Sequence, residues 1–164
     1  MRTALQALVT VALIASIASC KTGKAPEGFE SPSAAIDSLF RAYGVQDMTQ
    51  DEARRRLQAR ERFDLLDPAL FRSCFSDWQG EHDQALGGFV FGQLVAAKED
   101  MKIHVEGEVA RVEVASPSSE VKPIVLVKQN LAWKIDLRES VPPRIRQSLY
   151  EVYRRARRAE RRAK

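Results

Sequence analysis

The sequence predicts an α+β protein: N-terminal helices packed on a four-stranded antiparallel meander, a cone-like sheet, followed by a basic C-terminal helix. Three observations predict it. Apolar residues recur at helical spacing through the first part of the domain. From Met101 to Leu137 the period drops to two, broken by short turn signals. Pro142-Pro143 then opens a last segment dominated by arginine. The chain has 164 residues, 45% hydrophobic and 29% charged, which suits one globular domain and is too short for two ordinary ones. The expected organisation is a leader over 1–19, a flexible spacer over 20–32, the α+β domain over 33–140 and the basic helix over 141–164.

The leader begins with Met1 and Arg2 and continues through an uncharged, mostly apolar run from Ala4 to Ala18. A short basic start before such a run marks a secretory signal. The run is shorter than the roughly 20 residues that a spanning helix needs. It ends in Ile17-Ala18-Ser19-Cys20, which resembles the lipobox of bacterial lipoproteins. The resemblance implies a lipid-anchored Cys20 as first residue of the mature chain, with two or three acyl chains holding it to the cell envelope. Lys21 stands where inner-membrane lipoproteins of that class carry Asp, which implies an outer-membrane location facing the periplasm. If Cys20 is lipidated, Cys74 has no disulfide partner, and its apolar surroundings make it a core residue.

The helices follow in order. Ser31 or Ser33 caps the first, Pro32 suits its first turn, Ile36, Leu39, Phe40 and Tyr43 form one stripe, and Gly44 stops it. Thr49 and Glu52 have the spacing of a capping box, which starts a second helix running to Leu65. Asp67-Pro68 opens a third, with Leu70, Phe71, Cys74, Phe75 and Trp78 apolar. Residues 85–97 keep helical spacing despite Gly87, Gly88 and Gly92, and close helix packing is the reason expected for these glycines.

The strands follow. Ile103 and Val105 alternate with charged neighbours, as do Ala110 and Val112. Ile124 to Val127 is apolar on both faces, as a central strand is. Trp133, Ile135 and Leu137 close the meander. Glu106-Gly107, Pro117-Ser118-Ser119 and Gln129-Asn130 supply turns of hairpin length. Helices followed by this meander resemble the cone-shaped fold named for nuclear transport factor two, also called SnoaL-like. The resemblance rests on Glu106 to Val112 and on the Leu126–Gln129 and Trp133–Asp136 hairpin. It implies a sheet that can curl around a cavity or dimerise through its open face, and it carries over no active-site residue.

The net charge of +4 is uneven. From Arg144 onward nine basic residues meet only Glu151 and Glu160, a net of +7 that leaves −3 for the rest. At about 100° per residue, Ile145, Leu149, Val152, Ala156, Ala159 and Ala163 share one side of the last helix, and Arg154, Arg155, Arg157, Arg158, Arg161 and Arg162 fan over the other. The bulky half is expected to dock and the alanine half to project as a basic rod. Its partner is then anionic lipid, lipopolysaccharide or an acidic protein. Export argues against nucleic acid.

Other constellations are weak. His82 and His104 lack metal-ligand spacing, so no metal and no cofactor is expected, and Glu81-His82-Asp83 is taken as a solvated loop. Arg54-Arg55-Arg56 with Arg60 and Arg62 is taken as a solvated helix face. There is no nucleophile elbow and no phosphate loop. If the sheet curls around a cavity, Tyr43, His104, Arg111, Trp133 and Asp136 are the residues expected to line it. Three readings stay open. The first is a non-catalytic envelope lipoprotein that binds a partner and lays its arginine helix on an anionic surface. The second is a ligand-binding or enzymatic cone, and the third a structural homodimer.

Overall fold

The structure, a computed structural model, describes residues 28–58, 68–77, 79–114 and 122–163. The leader, Cys20, Arg60, Arg62, the stretch to Leu65, Trp78, the Pro117-Ser118-Ser119 turn and Lys164 lie outside the described residues. Four helices come first: α1 (Pro32–Ala42), α2 (Gln50–Gln58), α3 (Pro68–Cys74) and α4 (Gln84–Ala96), with a 3-10 turn at Glu81–Asp83. The strands are β1 (Lys102–Glu106), β2 (Val109–Glu113), β3 (Ile124–Gln129) and β4 (Ala132–Ile135). A single-turn α5 (Leu137–Ser140) and the long α6 (Pro143–Arg162) end the chain. The protein is therefore α+β, helices first, then the meander, then a C-terminal helix.

Local chemistry accounts for the helix starts. Ser31 Oγ accepts the amide of Ala34 at 3.1 Å, and Pro32 fills the first turn of α1. The capping box is complete: Glu52 N–H donates to Thr49 Oγ1 at 3.3 Å and Thr49 N–H to Glu52 Oε2 at 2.8 Å. The Thr49 N–H bond, joined by the Thr49 hydroxyl donating to the same oxygen at 2.9 Å, holds the Glu52 carboxyl below the usual carboxylate range by favouring its charged form. Two arginines of the basic face do more than face solvent. Arg54 donates to Ala96 O at 2.8 Å and Arg56 to Gly44 O at 3.0 Å, so they satisfy carbonyls at the ends of α4 and of the α1 turn.

The sheet order is β1-β2-β3-β4, all antiparallel. Ala110, Leu126 and Ile135 stand in one row across it and are fully buried. At the β3–β4 turn both Asn130 (φ 51°) and Leu131 (φ 67°) are left-handed, the backbone a two-residue hairpin needs. The outer side of β4 is occupied. Phe29 pairs with Trp133 in antiparallel fashion, and Phe75 with Ile135 in parallel.

The core lies between the inner sheet face and the helices. Ile36, Leu39, Phe40 and Tyr43 of the α1 stripe are buried, as is Cys74. Phe91 sits at the centre, 4.1 Å from the Tyr43 ring and 6.1 Å, edge on, from Phe40. Two expectations are corrected. Val105 is 54% exposed, because β1 is an edge strand and the helices pack over β3 and β4. Close packing explains only Gly87, where a Cβ would lie 3.1 Å from Phe71 Cε1; Gly88 and Gly92 have nothing within 4 Å.

Candidate functional site

The candidate site is α6 and the cleft at its root. Pro143 at the first position and a run of Arg, Ala and Glu favour this helix. Its 20 residues span about 30 Å at about 1.5 Å each. Ile145, Leu149 and Tyr150 pack on the core, and α6 lies against α4. From Arg154 to Ala163 every residue is exposed. The reason is area: beyond Tyr153 the only apolar side chains are alanines, which bury too little surface to hold a helix down. Val152 was expected on the docked side, yet it is 60% exposed. The docked edge is turned toward Tyr150, so the helix rests on Ile145, Leu149 and Tyr150.

The outer half carries six arginines. Arg155 lies 3.9 Å from Glu151, and Arg157 lies 3.1 Å from Glu160. Such exposed pairs contribute only a few tenths of a kcal/mol. Among the described residues, Arg154, Arg158, Arg161 and Arg162 have no carboxylate within ion-pair distance.

A cleft of about 640 Å³ opens where α6 leaves the domain, lined by Gln79, His82, Arg138, Arg146, Tyr150, Tyr153 and Arg154. Arg146, Tyr150, Tyr153 and Arg154 reach it from one face, since steps of four, seven and eight residues fall within about 100° around a helix. Asp83 organises the floor and is 3% exposed. Its Oδ2 accepts Gln79 N–H at 2.7 Å, and its Oδ1 accepts the Tyr150 hydroxyl at 2.8 Å, with His82 Nε2 at 3.6 Å. The His82 and Tyr150 rings stand 5.7 Å apart. Burial, then the bond to Asp83 and its charge, push the Tyr150 phenol up to about 12, against the pull of Arg146 and Arg138. The expectation of a solvated Glu81-His82-Asp83 loop is thereby corrected: Asp83 is locked into the fold.

The wall of α5 is also built from carboxylates that face inward. Asp77 accepts the amides of Leu137 (3.0 Å) and Arg138 (3.2 Å), and Asp136 accepts those of Arg138 and Glu139, both at 3.0 Å. Arg138 Nε is 3.5 Å from Asp77. Arg146 donates to Arg138 O at 3.3 Å and has no carboxylate partner among the described residues. The named lining therefore holds three guanidinium groups and no acid.

The residues expected around a cavity are not brought together. Tyr43 and Trp133 are core residues, and burial pushes the Tyr43 phenol up to about 12. His104 faces Glu113 at 3.4 Å, and Arg111 faces Glu106 at 3.2 Å, both on the exposed sheet face. Asp136 caps α5. Of the expected site residues only Arg154 reaches the cleft. Gln79, His82, Arg138, Arg146, Tyr150 and Tyr153 were not read as a site from sequence. The one signal present was the shared helix face of Arg146, Tyr150, Tyr153 and Arg154.

No group of three or more metal-ligating side chains occurs among the described residues, and none of their helices is long and apolar enough to cross a membrane. The chain matches no protein-family model, no curated protein and no solved structure.

Proposed function

We propose that this protein is a cell-envelope lipoprotein, held by acyl chains on Cys20, whose domain is a binding module and whose α6 lies against an anionic surface. The observation that carries the reading is the outer half of α6. It is a fully exposed helix with six arginines, of which four have no carboxylate partner among the described residues. A helix that buries little and repels itself is stabilised when a layer of negative charge faces it. Each cation near a membrane of anionic lipid contributes about 1 kcal/mol, so four unpaired arginines suffice to orient a tethered domain. Phospholipid headgroups and lipopolysaccharide phosphates both supply such a layer on an envelope membrane.

The test uses the mature chain from residue 20 with Cys20→Ser, so that no acyl group contributes. It should bind phosphatidylglycerol vesicles, bind phosphatidylcholine vesicles far less, and lose the difference at high salt. Replacing Arg157, Arg158, Arg161 and Arg162 by Gln should weaken the anionic binding. Equal binding to both vesicles, unchanged by salt, sinks the surface contact. For the anchor, mass spectrometry of the membrane-bound protein should find a diacylglyceryl-modified Cys20 at the amino terminus.

A further inference from the structure

We propose that the cleft between the Glu81–Asp83 turn and α6 is a binding site for a sugar phosphate monoester, with Arg146 and Arg154 holding the phosphate. The charge argument comes first. Arg146 is half-buried with only a carbonyl as acceptor, so the desolvation cost falls on it; Arg154 is exposed at the mouth and has no partner among the described residues. A partly desolvated guanidinium without a counter-charge is costly, and an anion entering the cleft relieves that cost. The Asp83 carboxylate lies beneath the lining, but its oxygens bond the Gln79 N–H and the Tyr150 hydroxyl, with His82 Nε2 at 3.6 Å, and neither Arg146 nor Arg154 pairs with it.

The choice among anions follows from shape and valence. Arg138 on α5 and Arg146 and Arg154 on α6 converge from two elements. Guanidinium groups grip phosphate oxygens in pairs. A phosphate monoester has three terminal oxygens and about two negative charges near neutral pH, which suits several guanidinium groups better than a single carboxylate does. The rest of the cleft describes the organic part. Tyr153, Tyr150 and His82 bring their rings to the lining, while the Gln79 side-chain carboxamide and the Tyr153 hydroxyl have no hydrogen-bond partner among the described residues. Aromatic rings beside unpartnered donors and acceptors fit a hydroxyl-bearing ring. The volume of about 640 Å³ lies in the range of small-ligand sites. The same chemistry exists as a free sugar phosphate and as the phosphorylated sugar headgroup of a lipid.

The cleft shares Arg154 with the arginine face of α6, but Arg146 and Tyr153 belong to the cleft alone and Arg158 and Arg162 lie outside its lining, so the two tests are separable. The mature Cys20→Ser chain is titrated calorimetrically with glucose 6-phosphate, with glucose and with inorganic phosphate, and separately bound to vesicles doped with lipid A. Glucose 6-phosphate should bind more tightly than phosphate, and glucose should not bind. Arg146→Gln with Arg154→Gln should weaken binding roughly tenfold or more, while Arg158→Gln with Arg162→Gln leaves it unchanged. Tyr153→Leu, which removes ring and hydroxyl without touching the Asp83 floor, should weaken the sugar phosphate and spare inorganic phosphate. Binding of the free ester identifies a soluble ligand. Lipid A binding that depends on Arg146 and Arg154, without free-ester binding, identifies a headgroup. If neither ligand binds in a manner that depends on these two arginines while thermal unfolding stays normal, the proposal is overturned.

Discussion

The Tyr150 hydroxyl donates to Asp83 Oδ1 at 2.8 Å, and this bond ties the C-terminal helix to the turn that precedes α4. Beside the Arg146 bond to Arg138 O, it is a polar link in a docking contact whose apolar part is Ile145 and Leu149. Tyr150→Phe leaves a buried carboxylate oxygen with one fewer donor and should cost about 1–2 kcal/mol in urea unfolding. Asp83→Ala strips the partners of both Tyr150 and the Gln79 amide and should cost more. An unchanged urea midpoint for Tyr150→Phe would remove this bond as the helix latch.

The glycines of α4 should separate by context. Gly88 and Gly92 have open space where a Cβ would stand, so Ala there should stabilise by about 0.5–1 kcal/mol each. At Gly87 the added carbon would crowd Phe71 and Phe75, and Ala should give no gain or a loss. Thermal unfolding of the three single variants checks the ranking.

Leu131 sits at φ 67° and is 83% exposed, so its side chain contributes little packing while its backbone is strained. Leu131→Gly should stabilise the hairpin by about 0.5–1 kcal/mol. A lower melting temperature for this variant would contradict that account.

Stability should fall at alkaline pH. Burial pushes the Cys74 thiol from 9.0 to about 11 and the Tyr43 phenol from 10.0 to about 12, while Tyr150 rises to about 12. In each case the folded state holds its proton more tightly than the unfolded chain. The contribution is therefore complete below the ordinary values of 9.0 and 10.0 and is lost as pH climbs through the folded ones. Urea midpoints measured from neutral pH upward should decline across that window, and Cys74→Ala should flatten its lower part.

The sequence made the elements legible where one physical rule acted alone. The α1 stripe, the Thr49–Glu52 box and the period-two strands each obey a local rule, and each is present. Strand alternation even placed Ala110 and Val112 inward. The readings that missed depend on what packs against what. Val105 obeys the alternation yet lies beyond the helices' cover, and Val152 obeys the helical stripe yet faces solvent. Asp83 reads as part of a solvated loop because the residue whose hydroxyl bonds it, Tyr150, lies 67 positions away. The cleft was hidden for the same reason. Its lining comes from three separate stretches of the chain, and only the angle at which α6 docks brings Arg146 and Arg154 over Gln79 and His82.

Phe29 and Phe75 give the pairing along β4 a last consequence. Trp133 exchanges hydrogen bonds with Phe29, and Ile135 O accepts Ser76 N–H, so that margin of the sheet has little main chain left to offer. Among the described residues nothing pairs with the opposite margin, β1. Filaments built by strand addition need a donor rim and an acceptor rim on every subunit. Among the described residues the sheet has one such rim, studded with Lys102, His104 and Glu106, so strand-to-strand growth from it closes at a pair rather than running on into a fibre.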